Sequence, residues 1–298
     1  MWLQRLQQLS QRPFSTTLAA AMAKSKYEYV KDFESNTRLL PNTWVVVRID
    51  GKGFHDFTKA HGFAKPNDAA ALQLMNHAAT AVMTEFDDLT LAYGQSDEYS
   101  FLFRRATDLY SRREAKLASV IGSTFTAHYA FAWHQYFPQL PLRKPPAFDA
   151  RAVAYPALAN VRDYFSWRQA DCHINNLYNT TFWALVLKGG MTEVQAMERL
   201  KGTRAKDKNE ILFTDYGINY ANEPEMFRKG TTLYRGTERI EKESVIPAKF
   251  AIASRPVLRT EGDTVVQLVE RDRPVVKSTT EDIIGDAFWD EHPSVLSD

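Results

Sequence analysis

The sequence predicts an α+β protein, a βαββαβ sheet with helices on one face, followed by a helix-rich C-terminal half. Three observations carry this. "NTWVVVRIDG" is a β-branched run closed by glycine, the signature of a strand. From Leu72 to Phe86 apolar residues recur at helical intervals. "LAYGQSDEYSFLF" then places apolar alternation on both sides of a short polar tip, as a hairpin does. Strand, helix and hairpin form the first half of a βαββαβ unit, and a further helix and strand complete it.

In the first strand, alternation sets Val46, Arg48 and Asp50 on one face and Val45, Val47 and Ile49 on the other. After "GKGFHDFTKAHGFAKP", Pro66 and an N-cap at Asn67 open a helix running to about Glu85, with Leu72, Met75, Ala79, Val82 and Phe86 on its apolar stripe. In the hairpin, Leu89, Leu91 and Tyr93 alternate inward before the tip, and Tyr99, Phe101 and Phe103 after it. "SRREAKLASVIGSTFTAHYAFAWHQYF" fits the second helix and "AFDARAVAYP" the closing strand, so residues 22–156 make one unit. Residues 157–298 form the second, with helices over "YFSWRQADCHINNLYNTTFWALVL" and "TEVQAMERLKG", then mixed strand and loop, and a final short helix in "IIGDAFWDEHP".

Composition narrows the function classes. The chain has 298 residues, 44% of them hydrophobic and 24% charged, enough for a full core. Lys plus Arg number 37 against 36 acidic residues, so a nucleic-acid surface would have to be a local patch. The single cysteine, Cys172, excludes a disulfide framework and a cysteine-rich zinc site, and fits a reducing compartment. No apolar run approaches the ~18 residues that span a bilayer, so no membrane partner is expected. Residues 1–21 read differently. There is no acidic residue through Tyr27, and Trp2, Leu3, Leu6 and Leu9 recur at helical spacing opposite Arg5 and Arg12. That is presequence chemistry or a disordered tail of accidental composition. Met22 offers a second start, so the expected address is cytoplasmic or nuclear, with a mitochondrial form from the N-terminal extension.

Adjacent carboxylates at the hairpin tip, Asp97 and Glu98, fit either a solvated turn or a metal site. Asp50 tips the balance, because the strand that ends in it lies beside the hairpin and projects from the same end. Carboxylates converging from two distant elements suit a pair of Mg²⁺ ions, which take hard oxygen ligands and leave positions for phosphates. Arg48 shares the face of Asp50 and stands where it can brace a phosphate, and "GKGF" lets the backbone approach one. This segment is neither the phosphate-binding GxxxxGK[ST] loop nor GxGxxG. The constellation points to metal-dependent phosphoryl or nucleotidyl transfer.

Further along, Gln169, His173, Asn176 and Thr180 share a helix face of neutral hydrogen-bonding groups, with Ile174, Leu177 and Trp183 left for packing. Such a face either reads bases and sugars or forms a satisfied internal network. Basic residues cluster at Arg104, Arg105, Arg112, Arg113 and Lys116 and from Arg199 to Lys208. Of these Lys208 and Lys116 are the candidates for contact with a polyanion. Trp133, Tyr136 and Phe137 are assigned to the core.

The blocks "WVVVRIDGKGFHDFTKAHGFAKPND", "YGQSDEYSFLF", "SWRQADCHINNLYNTTFWAL", "AKDKNEILF" and "MFRKGT" resemble the eukaryotic tRNA(His) guanylyltransferases, over a span from Met22 to Pro293. The resemblance implies a catalytic domain similar to the polymerase palm and to nucleotide cyclases. It implies an enzyme that adds one guanosine to the 5′ end of tRNA(His) in the 3′-to-5′ direction, activating the 5′-phosphate with ATP and using the GTP 3′-hydroxyl as nucleophile. By the same resemblance Asp50 and Asp97 would ligate two Mg²⁺ ions, with the Gly51 carbonyl and Glu98 beside them. Gly51, Lys52, Gly53, Phe54, His55, Lys65, Asp68 and Ser96 would lie at the nucleotide, and His173 in a motif linked to substrate handling. Arg48, Lys116 and Lys208 are the further substrate-handling candidates, and a homotetramer built as a dimer of dimers is the family's expected assembly. A nucleotide cyclase would share the metal hairpin but leave the helical second half without a role. A noncatalytic RNA-binding protein would leave the paired carboxylates without one.

Overall fold

The computed structural model describes residues 25–252 and 254–297. The presequence reading of residues 1–21 lies outside them. The chain divides into two compact units, residues 1–37 and 38–298. In the first, the described residues carry an exposed 3-10 turn over Glu28–Phe33. All that follows concerns the second.

Strand β1 (Trp44–Gly51) is followed by a short helix α1 (Phe54–Ala60), then α2 (Ala69–Glu85), β2 (Leu89–Gln95), β3 (Glu98–Phe103), α3 (Glu114–Tyr136) and β4 (Phe148–Tyr155). After these come α4 (Leu158–Leu187), α5 (Glu193–Leu200), α6 (Ala205–Tyr216), α7 (Glu225–Lys229), β5 (Thr231–Pro247), β6 (Val257–Glu261), β7 (Thr264–Thr279) and α8 (Ala287–Glu291). The strands form one seven-stranded antiparallel sheet in the order β4-β1-β3-β2-β5-β7-β6. The first four supply the expected βαββαβ arrangement.

Alternation in β1 works as the sequence predicts. Val45, Val47 and Ile49 pack with Leu74, Val82, Ile121 and Phe125 of α2 and α3. Val46 joins Tyr164 and Phe165 of α4 and Phe288 and Trp289 of α8 in a second cluster. The unit's own helices therefore lie on one face, but α4 and α8 cover the other, and the sheet is the middle layer. The reason is in β1 itself. Val45, Val46, Val47 and Ile49 are all 1% exposed or less, and a strand apolar on both faces must be covered on both.

Three local expectations need correction. Leu89, Leu91 and Tyr93 do not share a face, because a register shift between Leu89 and Leu91 inserts one extra residue. Leu89 stays with α2 and α3 while Leu91 and Tyr93 turn toward α4, since one inserted residue flips every side chain beyond it. The N-cap of α2 is Asp68 rather than Asn67: its Oδ1 accepts the Ala71 N–H at 3.1 Å and its Oδ2 the Ala64 N–H at 3.0 Å. Asn67 instead donates to Asn176 Oδ1 at 2.8 Å, tying this loop to α4. Finally, the region read as mixed strand and loop contains a long hairpin. β5 and β7 pair from Thr232↔Thr279 to Pro247↔Thr264, and β5 docks on β2 in the same sheet. Trp133 is fully buried as expected, with Tyr136 and Phe137 packed against the same cluster.

Candidate active site

Pairing in the sheet brings the carboxylates together. Asp50 at the end of β1 stands opposite Glu98 on β3 and, on its other side, opposite Asp149 on β4. The Gly51 N–H donates to the Asp97 carbonyl at 3.0 Å, which locks the strand end to the hairpin tip. Ser96, in the left-handed region at φ 50°, makes the tip turn and donates its hydroxyl to Asp97 Oδ1 at 3.1 Å. Glycine is required at position 51. A Cβ there would stand 2.6 Å from Asp97 Oδ2 and run into the Phe54 ring.

This proximity has an electrostatic cost. Burial lifts the Asp97 carboxyl above its usual range and the Asp50 charge adds to the lift, while its own backbone N–H and Ser96 pull the other way. Among the described residues neither Asp50 nor Asp97 has an ion-pair partner. Two neighbouring, uncompensated oxygen donors are the chemistry that Mg²⁺ takes, so the residues fit the expected ions. Glu98 is placed differently. Arg168 of α4 holds both of its oxygens, at 3.0 and 3.2 Å, and Arg168 also approaches Asp171 at 3.4 Å. Burial still raises the Glu98 carboxyl, with Arg168 lowering it in part. Glu98 is thus a paired group beside Asp50 and Asp97. Within the described residues the one three-ligand cluster at mutual ligand distance is the surface set Glu281, Glu291 and His292, not the hairpin tip.

Beside the tip opens a cleft of about 440 Å³, a size that suits a nucleotide. Phe54, His55, Lys65, Asp68, Ser96 and Asp97 line it, joined by Tyr129 of α3, Tyr178, Phe182 and Trp183 of α4, and Glu193 and Met197 of α5. Lys65 Nζ lies 5.5 Å from the Trp183 ring centre. Asp50, Gly51, Lys52 and Gly53 are not in this lining. The Lys52 N–H bonds the Ala147 carbonyl at 2.8 Å, and Gly53 at φ 67° starts α1. Asp68 lines the cleft while both of its oxygens are engaged by backbone.

The remaining candidates separate. Arg48 lies on the α4 face, 5.9 Å from the Trp167 ring, with its Nε buried and without a hydrogen-bond partner among the described residues. His173 is exposed, near the edge of the Tyr220 ring. Two of its face-mates form an internal network instead: Gln169 bonds the backbone of Lys229, Glu281 and Ile283, and Asn176 bonds Asn67 and Tyr220, while the Thr180 hydroxyl is buried without a partner among the described residues. Ile174 is 63% exposed and does not pack. Lys208 is buried, donating to the Thr203 carbonyl at 2.8 Å and lying 5.8 Å from the ring of cleft residue Tyr178. Lys116 sits over Tyr110, thirteen residues before Tyr129 on α3, which puts it about 20 Å along the helix from the cleft. The nearby Arg112 is structural, buried and bonded to the carbonyls of Thr43 and Thr107.

Sequence reasoning missed Arg168, Tyr129, and Asp149 with its ion-pair partner Arg151. Arg168 had a faint signal, as a cation among the apolar positions Tyr164, Phe165 and Cys172 of one helix. Tyr129 had none.

The fold and site define an α+β protein whose acidic hairpin tip borders a cleft of nucleotide size. The chain belongs to the tRNA(His) guanylyltransferase family: residues 27–156 match the family model described as "tRNAHis guanylyltransferase" and residues 159–285 that of the "Thg1 C terminal domain". A probable tRNA(His) guanylyltransferase of Homo sapiens is 51% identical over 283 residues, 94% of this chain and 91% of the relative. The tRNA(His) guanylyltransferase of Neurospora crassa is 52% identical over 283 residues, 93% of this chain and 97% of its own. The crystal structure of the Saccharomyces cerevisiae tRNA(His) guanylyltransferase matches with a TM-score of 0.68 at 50% identity, covering 70% of this chain and 93% of that one. A bacterial tRNA(His) guanylyltransferase-like protein in complex with ATP matches with a TM-score of 0.61 at 28% identity, covering 70% and 88%.

Proposed function

We propose that this protein adds a guanosine to the 5′ end of tRNA(His) by 3′-to-5′ nucleotidyl transfer. The observation that carries the reading is the uncompensated Asp50–Asp97 pair, whose Asp97 lines the cleft, in a chain about half identical to curated guanylyltransferases. In this reading ATP first adenylylates the tRNA 5′-phosphate. The GTP 3′-hydroxyl then attacks that phosphate and AMP departs, after which pyrophosphate is removed from the new end.

Asp50, Asp97 and the Gly51 carbonyl would hold two Mg²⁺ ions, which when bound lower the barrier for the attacking hydroxyl and offset the charge of the leaving group. Lys65 and Ser96 supply a cation and a hydroxyl to the triphosphate, and Phe182 and Trp183 offer aromatic surface to a base. Residues 22–156 act as a palm-like or cyclase-like catalytic domain and residues 157–298 as the part packed on it. Arg48, His173 and Lys208 serve the RNA. Lys116, far from the cleft, could serve only a more distant part of the tRNA. A dimer of dimers is the proposed assembly, and the proposed location is cytoplasmic or nuclear with a mitochondrial form.

The test is incubation with tRNA, ATP and α-labelled GTP. Label at the RNA 5′ end supports the reading. A cyclic nucleotide product would support a cyclase instead, and RNA binding without turnover a noncatalytic protein.

A further inference from the structure

Tyr129 lies in α3 with its ring fully buried, 5.5 to 6.3 Å between centres from Phe54, Phe57, Trp133 and Phe148. Phenylalanine would fill that space equally well. The hydroxyl is what needs explaining, because it is sealed from solvent and has no hydrogen-bond partner among the described residues. Buried hydroxyls are as a rule bonded. The other buried tyrosines follow the rule: Tyr99 donates to Asn76 Oδ1 at 2.9 Å, Tyr93 to the Lys229 carbonyl at 2.8 Å, and Tyr164 shares a 2.7 Å bond with Ser100. The hydroxyls of Thr90, Thr180 and Thr232 are also buried without a partner among the described residues, but none of them lines the cleft. Tyr129 departs from the rule at the one place where a ligand is expected.

Its surroundings suggest the missing partner. Tyr129 belongs to the lining of the cleft, together with Asp97 and Asp68. Burial, then the charges of Asp97 and Asp68, keep the phenol protonated well above its ordinary range, so it can act only as a neutral donor or acceptor. Asp68 has both oxygens engaged by the Ala64 and Ala71 N–H groups. Among the described residues Asp97 receives a side-chain bond from Ser96 alone, and it is repelled by Asp50. A carboxylate that gives one oxygen to a metal ordinarily takes a hydrogen bond on the other.

We propose that Tyr129 is a positioning residue for nucleotide transfer, its hydroxyl donating to the Asp97 carboxylate when metal and nucleotide are bound. This rests on the reading of Asp97 as a metal ligand given above. The hydroxyl would orient the carboxylate without touching the reacting atoms. In the ligand-free chain it costs stability rather than adding any.

The experiment compares the full-length parent with Tyr129→Phe by thermal melting and by GTP titration, with and without Mg²⁺. The variant should melt with or slightly above the parent when metal-free. It should need on the order of tenfold more Mg²⁺ to reach half-maximal GTP binding, the size of a lost hydrogen bond to a charged group. An unchanged Mg²⁺ requirement would overturn the proposal. So would a metal-free variant melting well below the parent, which would make the hydroxyl structural. A loss of GTP affinity equal with and without Mg²⁺ would place the hydroxyl on the nucleotide and overturn it too. If the parent itself shows no Mg²⁺-dependent GTP binding, the reading of the cleft fails, and this inference with it.

Discussion

Arg168 reaches from α4 to the hairpin tip and holds both oxygens of Glu98, at 3.0 and 3.2 Å, with side-chain exposures of only 6% and 13%. A pair so removed from water is costly to break, because the surviving charge stays buried. Arg168→Ala should therefore destabilise the protein by about 3–5 kcal/mol, read as a fall in the urea midpoint. Glu98→Gln, which keeps an acceptor for Arg168, should cost less. Equal losses from the two substitutions would show that packing rather than charge dominates, a real alternative given the Arg168 guanidinium stacked 3.4 Å from the Trp167 ring centre.

Asp97 is expected to behave in the opposite way. Its carboxyl is raised by burial and by Asp50, so the folded, metal-free chain keeps this proton to higher pH than the unfolded chain does. For a raised group the stabilising contribution is full below the unfolded-state pKa and is lost as pH rises through the folded value. The metal-free parent should therefore lose stability as pH rises from about 4 toward neutrality, and Asp97→Asn should flatten that part of the profile. Denaturation across this range checks it. Asp97→Ala should lower guanylyl addition by hundreds-fold or more. An active Asp97→Ala protein would sink the metal assignment.

Gly51→Ala tests the close approach of backbone and carboxylate. The added methyl would stand 2.6 Å from Asp97 Oδ2 and closer still to the buried ring of Phe54, which must shift to admit it. Overpacking of this kind costs about 1–3 kcal/mol. The stabilisation conferred by Mg²⁺ and GTP should vanish with it, and melting with and without these ligands measures both effects.

His173 and Lys208 should part company. His173 is exposed, so His173→Ala should leave stability within about 1 kcal/mol while lowering activity on tRNA. Lys208 is buried with its ammonium on the Thr203 carbonyl, so Lys208→Ala should cost about 2 kcal/mol before any effect on RNA is counted. Melting curves beside the 5′-labelling assay separate the two. An early-melting His173→Ala protein would withdraw the substrate role of that residue.

The N-terminal extension has a test of its own. Its basic, acid-free composition predicts that residues 1–26, fused to a fluorescent reporter, direct it to mitochondria, while a product starting at Met22 stays in the cytosol. A diffuse reporter would remove the presequence reading.

Much of the site is legible in the amino-acid order, for reasons particular residues make plain. Period-two alternation in β1 assigns faces to Val45 and Val46, and the turn at Ser96 and Asp97 sets the hairpin that returns beside Asp50. These are local rules, written within a few residues of where they act. The extra residue between Leu89 and Leu91 obeys no such rule, so an alternation that looks unbroken along the chain is broken in the sheet.

By itself the sequence determined the strands β1 to β4, the two helices under them and the meeting of Asp50 with the tip, because periodicity and turn chemistry are short-range properties. Only the tertiary structure decided that Glu98 belongs to Arg168, seventy residues away, that Asn176 closes a network with Asn67 and Tyr220, and that Lys208 is buried while His173 is not. It alone left the Tyr129 hydroxyl without a partner among the described residues. Each of these depends on which side chains from distant segments share a desolvated space. Burial and pairing are set by the whole packed assembly, and they leave no periodic trace along the chain.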